Sequence, residues 1–407
     1  MIRGAVEGEG PGDGRHGPAR RIGGRRGPAR RSCGRHGSAT WFHAGCCAGS
    51  CATPCRPNTH TVDNIQSTVF GSSSVPSTER SSLTMKVAVL GAGAIGAYVG
   101  AALHRAGADV HLVARGPHLA AMRRHGVRVL SPRGDFTARA HATDDPAEIG
   151  PVDYVFLGLK AHSYAACGPL IEPLLHGTTA VIAAQNGIPW WYFHRHGGPY
   201  DGHRVESVDS GGAVSAVLAP ERAVGCVVYA ATELEGPGVV RHLEGTRFSI
   251  GEPDRSVSAR CLAFGEAMKA GGLKCPVEPD LRNDIWLKLL GNISFNPISA
   301  LARATMRQMC LHGGTRQVIE TMMRETLTVA EALGCEVGVS IERRLAGAER
   351  VGDHRTSTLQ DLERGKPLEL DVLLAAVVEL AEITGVEVPT LRTVHAISDL
   401  LALRSAA

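Results

Sequence analysis

The segment that most constrains the fold runs MKVAVLGAGAIGAYVGAALHRAGADVHLVAR, from Met85 to Arg115. An apolar run leads into a glycine-rich turn, a stretch of helical period and a second apolar run ending at Arg115. That is the order of a β-α-β unit that binds a dinucleotide. Gly91, Gly93 and Gly96 form G-x-G-x-x-G within it. The three glycines meet three needs that a side chain would block: a tight turn, backbone approach to a pyrophosphate, and close packing of helix on strand. Gly91, Ala92, Gly93, Ala94, Ile95 and Gly96 are therefore the expected cofactor contacts, with the helix N-terminus offering amides to the phosphates. A glycine pattern alone is weak, and its weight here comes from the strand before it and the helix and strand after it.

This unit starts 84 residues into the chain. Residues 1–84 hold eleven Arg, no Lys and five acids, repeat phrases such as GPARRIGGRRGPARR, and show neither helical nor alternating apolar period. Such a segment cannot bury enough apolar surface to fold alone. It is expected to be a disordered leader or a misassigned start, with translation beginning at Met85. Three functional readings compete: an Arg-rich targeting peptide, a twin-arginine export signal, and a metal cluster at Cys46, Cys47, Cys51 and Cys55. No apolar run follows the arginine pairs, which argues against export. The C-x3-C-x3-C spacing after Cys47 matches no common zinc or iron–sulfur site.

Beyond residue 84, 32 basic residues face 35 acidic ones, against 43 and 40 in the whole chain. The basic balance belongs to the leader, so the rest implies no nucleic-acid partner. Its length suits two domains. Cys167, Cys226, Cys261, Cys275, Cys310 and Cys335 are scattered in no framework pattern, as expected of reduced thiols in the cytoplasm. No window offers about 18 uninterrupted apolar residues, so no membrane span is expected.

Asp153 to Lys160 and Thr178 to Gly187 read as buried strands, the rhythm of a doubly wound sheet. Val205 to Gly251 is rich in valine and glycine and suggests antiparallel strands closing the first domain, before a linker around Pro276 to Pro279. Helical period then dominates, with C-cap glycines at Gly365 and Gly385. The expected architecture is an α/β Rossmann-type N-terminal domain over 85–279 and an all-α C-terminal domain over 280–407.

In WLKLLGNISFNP, Lys288, Asn292 and Asn296 fall at i, i+4 and i+8. On a helix each is turned only about 40° from the last, so they share one polar stripe. The stripe could line a cleft between domains, or it could be a solvated face with a capping Asn before Pro297. RTSTLQDLERGKPLELD places Ser357 near the start of one helix and Glu369 in the first turn of the next, where the helix dipole favours a carboxylate. Alone, Ser357 reads as a cap and Glu369 as a dipole partner.

Taken in order, GAGAIG, the LKA at Lys160, QNG at Gln185, VVYAATELEGPGVVRH, WLKLLGNISFNP and STLQDLERGKPLELD make the chain resemble the ketopantoate reductases from Met85 to the C-terminus. The resemblance implies a Rossmann-type and a helical domain clasping NADPH and a 2-oxo acid. It also implies a catalytic lysine at Lys288, a catalytic glutamate at Glu369, substrate contacts at Asn292, Asn296 and Ser357, and positions near cofactor and active site at Lys160 and Asn186. The chemistry asks for such a set, because reduction of a ketone carbon leaves an alkoxide that needs a proton and a donor environment. Cofactor choice can be argued separately. NAD-preferring sites carry an acid at the end of the second strand, whereas here Arg115 stands 19 residues beyond Gly96, suited to a 2′-phosphate. NADP(H) is the expected cofactor.

Two features depart from the family pattern. Trp190, Trp191, Tyr192 and Phe193 follow QNG directly, and either reshape the pocket or pack an inserted loop. His194, His196 and His203 sit among Gly and Pro and read as loop histidines, with no metal site expected. The expected partner is a small 2-oxo acid, with a homodimer left open. The rival readings are a related reductase of another 2-oxo acid and a non-catalytic NADP(H)-sensing protein.

Overall fold

The computed structural model describes residues 84–406. The expectations for a leader over 1–84 and for Cys46, Cys47, Cys51 and Cys55 fall on residues outside that range, Thr84 excepted.

The opening unit is β1 (Lys86–Leu90), α1 (Ala94–Arg105) and β2 (Asp109–Val113). Small residues on α1 let it lie close to the sheet: a Cβ on Gly100 would press on Leu112 and Val89. The chain continues through α2 (Gly116–His125), β3 (Val127–Leu130), β4 (Phe136–Ala138), β5 (His141–Thr143), β6 (Tyr154–Leu157), α3 (Gly168–Ile171), β7 (Ala180–Ala183), α4 (Ala213–Val217) and β8 (Ala223–Val228). It closes the sheet region with β9 (Ala231–Gly236), β10 (Val239–Glu244), β11 (Phe248–Gly251) and α5 (Ala259–Ala270).

Seven strands form one sheet in the order β11-β8-β7-β6-β1-β2-β5, parallel throughout except for β11. β6, β7 and β8 are buried along their whole length, as strands covered on both faces must be. The stretch from Val205 to Gly251 holds the antiparallel pairs expected, β8 with β11 and β9 with β10, but they divide between two sheets. β8 pairs parallel to β7, and β9 and β10 leave to form a second sheet, β4-β3-β10-β9. The segment at Pro276 to Pro279, expected as a linker, runs along the edge of β11, where Ile250 donates to Pro276 O at 3.0 Å and Glu278 donates to Ile250 O at 2.7 Å.

From Asp280 on, the described chain is helical: α6 (Leu281–Ala302), α7 (Met306–Leu311), α8 (Gly313–Ala332), α9 (Ile341–Val351), α10 (Ser357–Glu363), a π-turn at Asp371–Ala375, α11 (Ala376–Thr384) and α12 (Pro389–Ala406). Gly365 and Gly385 adopt the left-handed conformation expected of residues after a helix. One apolar cluster runs from sheet residues such as Val181 and Val227 through Trp191 and Trp286 to Leu373 and Leu374, joining the sheet to the helices. No described helix is long and apolar enough to cross a membrane.

Candidate active site

The loops after β1, β6, β7 and β8 gather at the carboxyl edge of the parallel strands, where open α/β sheets bind ligands. Gly91 has φ +92°, and a Cβ on Gly96 or Gly158 would collide with its carbonyl oxygen, so three backbones meet at this turn. A Cβ on Gly93, by contrast, meets nothing within 4 Å among the described residues. On that open side α1 begins at Ala94 with no side chain among the described residues capping it, and its first amides have no partner within the helix. The turn therefore presents N–H groups that have no partner among the described residues, which fits a pyrophosphate. Arg115 lies two residues beyond the end of β2, in the N-cap position of α2. It is exposed and makes no ion pair among the described residues.

Sequence reasoning missed His118. Its Nδ1 accepts from Gly238 N at 3.0 Å, which leaves Nε2–H to donate to Ala92 O at 2.8 Å. The ring thus ties the glycine-rich turn to the β9–β10 corner. Nothing local signals this, since Gly238 is 120 residues away.

Lys288, Asn186 and Glu369 form one hydrogen-bonded chain. Lys288 Nζ donates to Asn186 Oδ1 at 2.7 Å, and Asn186 Nδ2 donates to Glu369 Oε2 at 3.2 Å. The lysine and the glutamate make no direct ion pair within 4 Å among the described residues, so the amide joins them. Burial lowers the Lys288 pKa to about 8, against the opposing influence of Cys226 and Glu369. Burial also pushes the Cys226 thiol up to about 12, while Lys288 pulls the other way. Tyr164 is buried with its hydroxyl unpartnered among the described residues. Burial holds its pKa well above the usual value, and Glu369 adds to the effect.

Glu369 does not sit in a first helical turn as expected. It directly precedes Leu370 and the π-turn, a wide turn often found at functional sites. Ile188 N donates to Val372 O of that turn at 2.9 Å. Gly187, at φ +73°, packs so closely that a Cβ there would overlap the same carbonyl. The QNG motif thus docks on the π-turn and carries Asn186 to Glu369.

The stripe on α6 continues beyond Lys288. Asn292 is half-buried and its side chain makes no hydrogen bond among the described residues, and Asn296 is buried with Nδ2 at 3.5 Å from Ser357 Oγ. Asn296 does not cap the helix, because α6 runs through Pro297 to Ala302. Ser357 is not the cap of α10 either. Thr356 takes that role by accepting from Leu359 N at 3.3 Å, and the Ser357 hydroxyl is left at the exposed first position. Lys160 pairs with Asp361 on α10, across the mouth between sheet and helices.

Trp190, Trp191, Tyr192 and Phe193 are all buried. Tyr192 packs against α6: Trp286 Nε1 donates to Tyr192 Oη at 2.7 Å, and Arg282 Nε donates to Tyr192 O at 2.9 Å. The run seats the helix that carries Lys288. Of the nearby histidines His196 is buried, with burial lowering its pKa, while His194 is half-buried and His203 exposed.

A family model described as ketopantoate reductase PanE/ApbA matches residues 87–255, and its C-terminal counterpart matches 280–402. The 2-dehydropantoate 2-reductase of Mesorhizobium japonicum is 46% identical over 320 residues, which is 78% of this chain and 98% of that protein. The crystal structure of 2-dehydropantoate 2-reductase from Geobacter metallireducens superposes with TM-score 0.68 at 27% identity, covering 78% of this chain and 99% of its own. D-mandelate dehydrogenase, solved with NADH and anilino(oxo)acetate, shares the fold at TM-score 0.65 and 20% identity, over 79% of this chain and 99% of its own.

Proposed function

The chain belongs to the ketopantoate reductase family, and we propose that it reduces 2-dehydropantoate to pantoate with NADPH, in pantothenate synthesis, as a cytoplasmic enzyme. The observation that carries this reading is the Lys288–Asn186–Glu369 chain, which links α6, the loop after β7 and the segment just before the π-turn. We assign residues 85–279 to cofactor binding and 280–407 chiefly to the substrate.

The bound nicotinamide supplies the hydride. Lys288, its pKa lowered to about 8, holds a proton near working pH and releases it to the substrate oxygen as that oxygen becomes a hydroxyl. Asn186 fixes the direction of the ammonium by accepting one of its three hydrogens, leaving the others for the substrate. Glu369 accepts from Asn186 through one oxygen and has acceptor capacity left for the new hydroxyl. Asn292, Asn296 and Ser357 offer neutral donors to the rest of the acid. Gly91, Ala92, Gly93, Ala94, Ile95 and Gly96 would cradle the pyrophosphate, with Lys160 nearby, and Arg115 would take the 2′-phosphate by a charge-assisted fork.

The test is NADPH oxidation against a panel of 2-oxo acids, repeated with NADH and with Arg115→Glu. Turnover of 2-dehydropantoate above the other acids is expected, as is a loss with NADPH on the order of 100-fold in Arg115→Glu that NADH does not share. Turnover of another acid alone would overturn the substrate, and equal losses with both cofactors would overturn the phosphate assignment.

A further inference from the structure

Tyr229 is the residue that follows β8 at the same carboxyl edge. Arg247 sits 5.3 Å over its ring and is neutralised by Glu278 at 3.1 Å and Asp284 at 2.9 Å. The side chain of Arg344, on α9, has neither ion pair nor hydrogen bond among the described residues. It is half-buried and lies across Gly291 of α6, where an added Cβ would come within 2.9 Å of Cζ and 3.0 Å of Nε. Gly291 immediately precedes Asn292 and stands one helical turn beyond Lys288.

A cation taken out of water without a counter-ion is costly, and burial lowers the Arg344 pKa with only Tyr229 acting the other way. The cost is offset when an anionic ligand completes the pair. The substrate assigned above carries a carboxylate, and the groups already assigned to it on the helices are neutral except for Lys288 and the like-charged Glu369. Lys288 is committed to the carbonyl oxygen. The planar fork of an arginine matches a carboxylate through two parallel hydrogen bonds.

We propose that Arg344 receives the carboxylate of the 2-oxo acid and so selects 2-oxo acids over neutral ketones. This rests on the function proposed above. Gly291 is then glycine because a side chain there would expel the guanidinium from the helix surface.

The experiment compares the 2-oxo acid with its neutral lactone, which keeps the ketone and lacks the charge, in wild type, Arg344→Gln, Arg344→Lys and Gly291→Ala. In Arg344→Gln, KM for the acid is expected to rise on the order of 10- to 100-fold, with KM for NADPH unchanged and the preference for acid over lactone reduced by the same factor. Arg344→Lys keeps the charge but not the fork and should fall between. Gly291→Ala displaces the guanidinium without deleting it, in a helix that favours Ala, and should move KM in the same direction. If Arg344→Gln does not fold, these two variants carry the test. An unchanged KM for the acid in the folded variants, or equal changes for acid and lactone, would overturn the inference alone. A wild type that reduces no 2-oxo acid would overturn it together with the function.

Discussion

Burial holds Lys288 at a pKa of about 8, and its hydrogen-bond partner is a neutral amide, Asn186 Oδ1. For reduction the protonated amine is the useful form. It is present below about pH 8 and lost as pH rises through that value, so kcat/KM should fall along an alkaline limb near 8. Asn186→Asp would place a carboxylate where the amide stands. An opposite charge at that distance favours the charged amine, typically by about 1–3 pKa units. The limb should therefore move to higher pH, measured as kcat/KM between pH 6 and 10, while Asn186→Ala should not raise it. A limb that stays at 8 in Asn186→Asp would mean that Lys288 is not the titrating donor. The stripe of Lys288, Asn292 and Asn296 was legible because helical period depends on local spacing alone. Asn186 was legible only as part of a motif, since its two partners lie 102 and 183 residues away and no local pattern encodes such a bridge.

At the scale of elements, the QNG loop and the π-turn depend on each other. A normal α-helical turn would direct Val372 O back into its own helix, whereas the wide turn leaves it to accept from Ile188 N. Gly187→Ala would meet that carbonyl and would have to hold φ +73°, a conformation that costs a side chain about 1 kcal/mol or more before any collision. We expect a loss of roughly 2–4 kcal/mol in unfolding free energy and a lower kcat, because Asn186 moves with the loop. Denaturant unfolding beside steady-state rates checks both, and a variant as stable and as active as wild type would refute the coupling. Sequence pattern read the β-α-β unit and the helical half well, because apolar period reports which faces are buried. It read the antiparallel pairs β8–β11 and β9–β10 but not the parallel pairing of β8 with β7 or the departure of β9 and β10 to a second sheet, because period does not report which strand a buried face will join. It also left open a helix end at Asn296, where Pro297 in fact lies within α6.

For the molecule as a whole, the floor and the rim of the cleft are held by different physics. Beneath α6 the sheet and helices share one apolar core through Trp191, Trp286 and Leu373, which resists sliding because packed interiors tolerate little displacement. At the rim, Lys160 and Asp361 meet as a single charged pair, with side chains 35% and 15% exposed. Partly solvated pairs of this kind contribute about 1 kcal/mol or less and are screened by salt. Opening should therefore occur at the rim while the floor stays closed. Asp361→Ala is expected to leave Tm within about 2–3 °C of wild type, since about 1 kcal/mol shifts the midpoint of a domain this size by only a few degrees. The same change should speed amide exchange around Ala161–Cys167 and α10, leaving β6, β7 and α6 as protected as before. High salt should narrow the difference by loosening the wild-type rim. A Tm drop well beyond 5 °C, or faster exchange along α6, would mean that the rim pair supports the core and does not merely close the mouth.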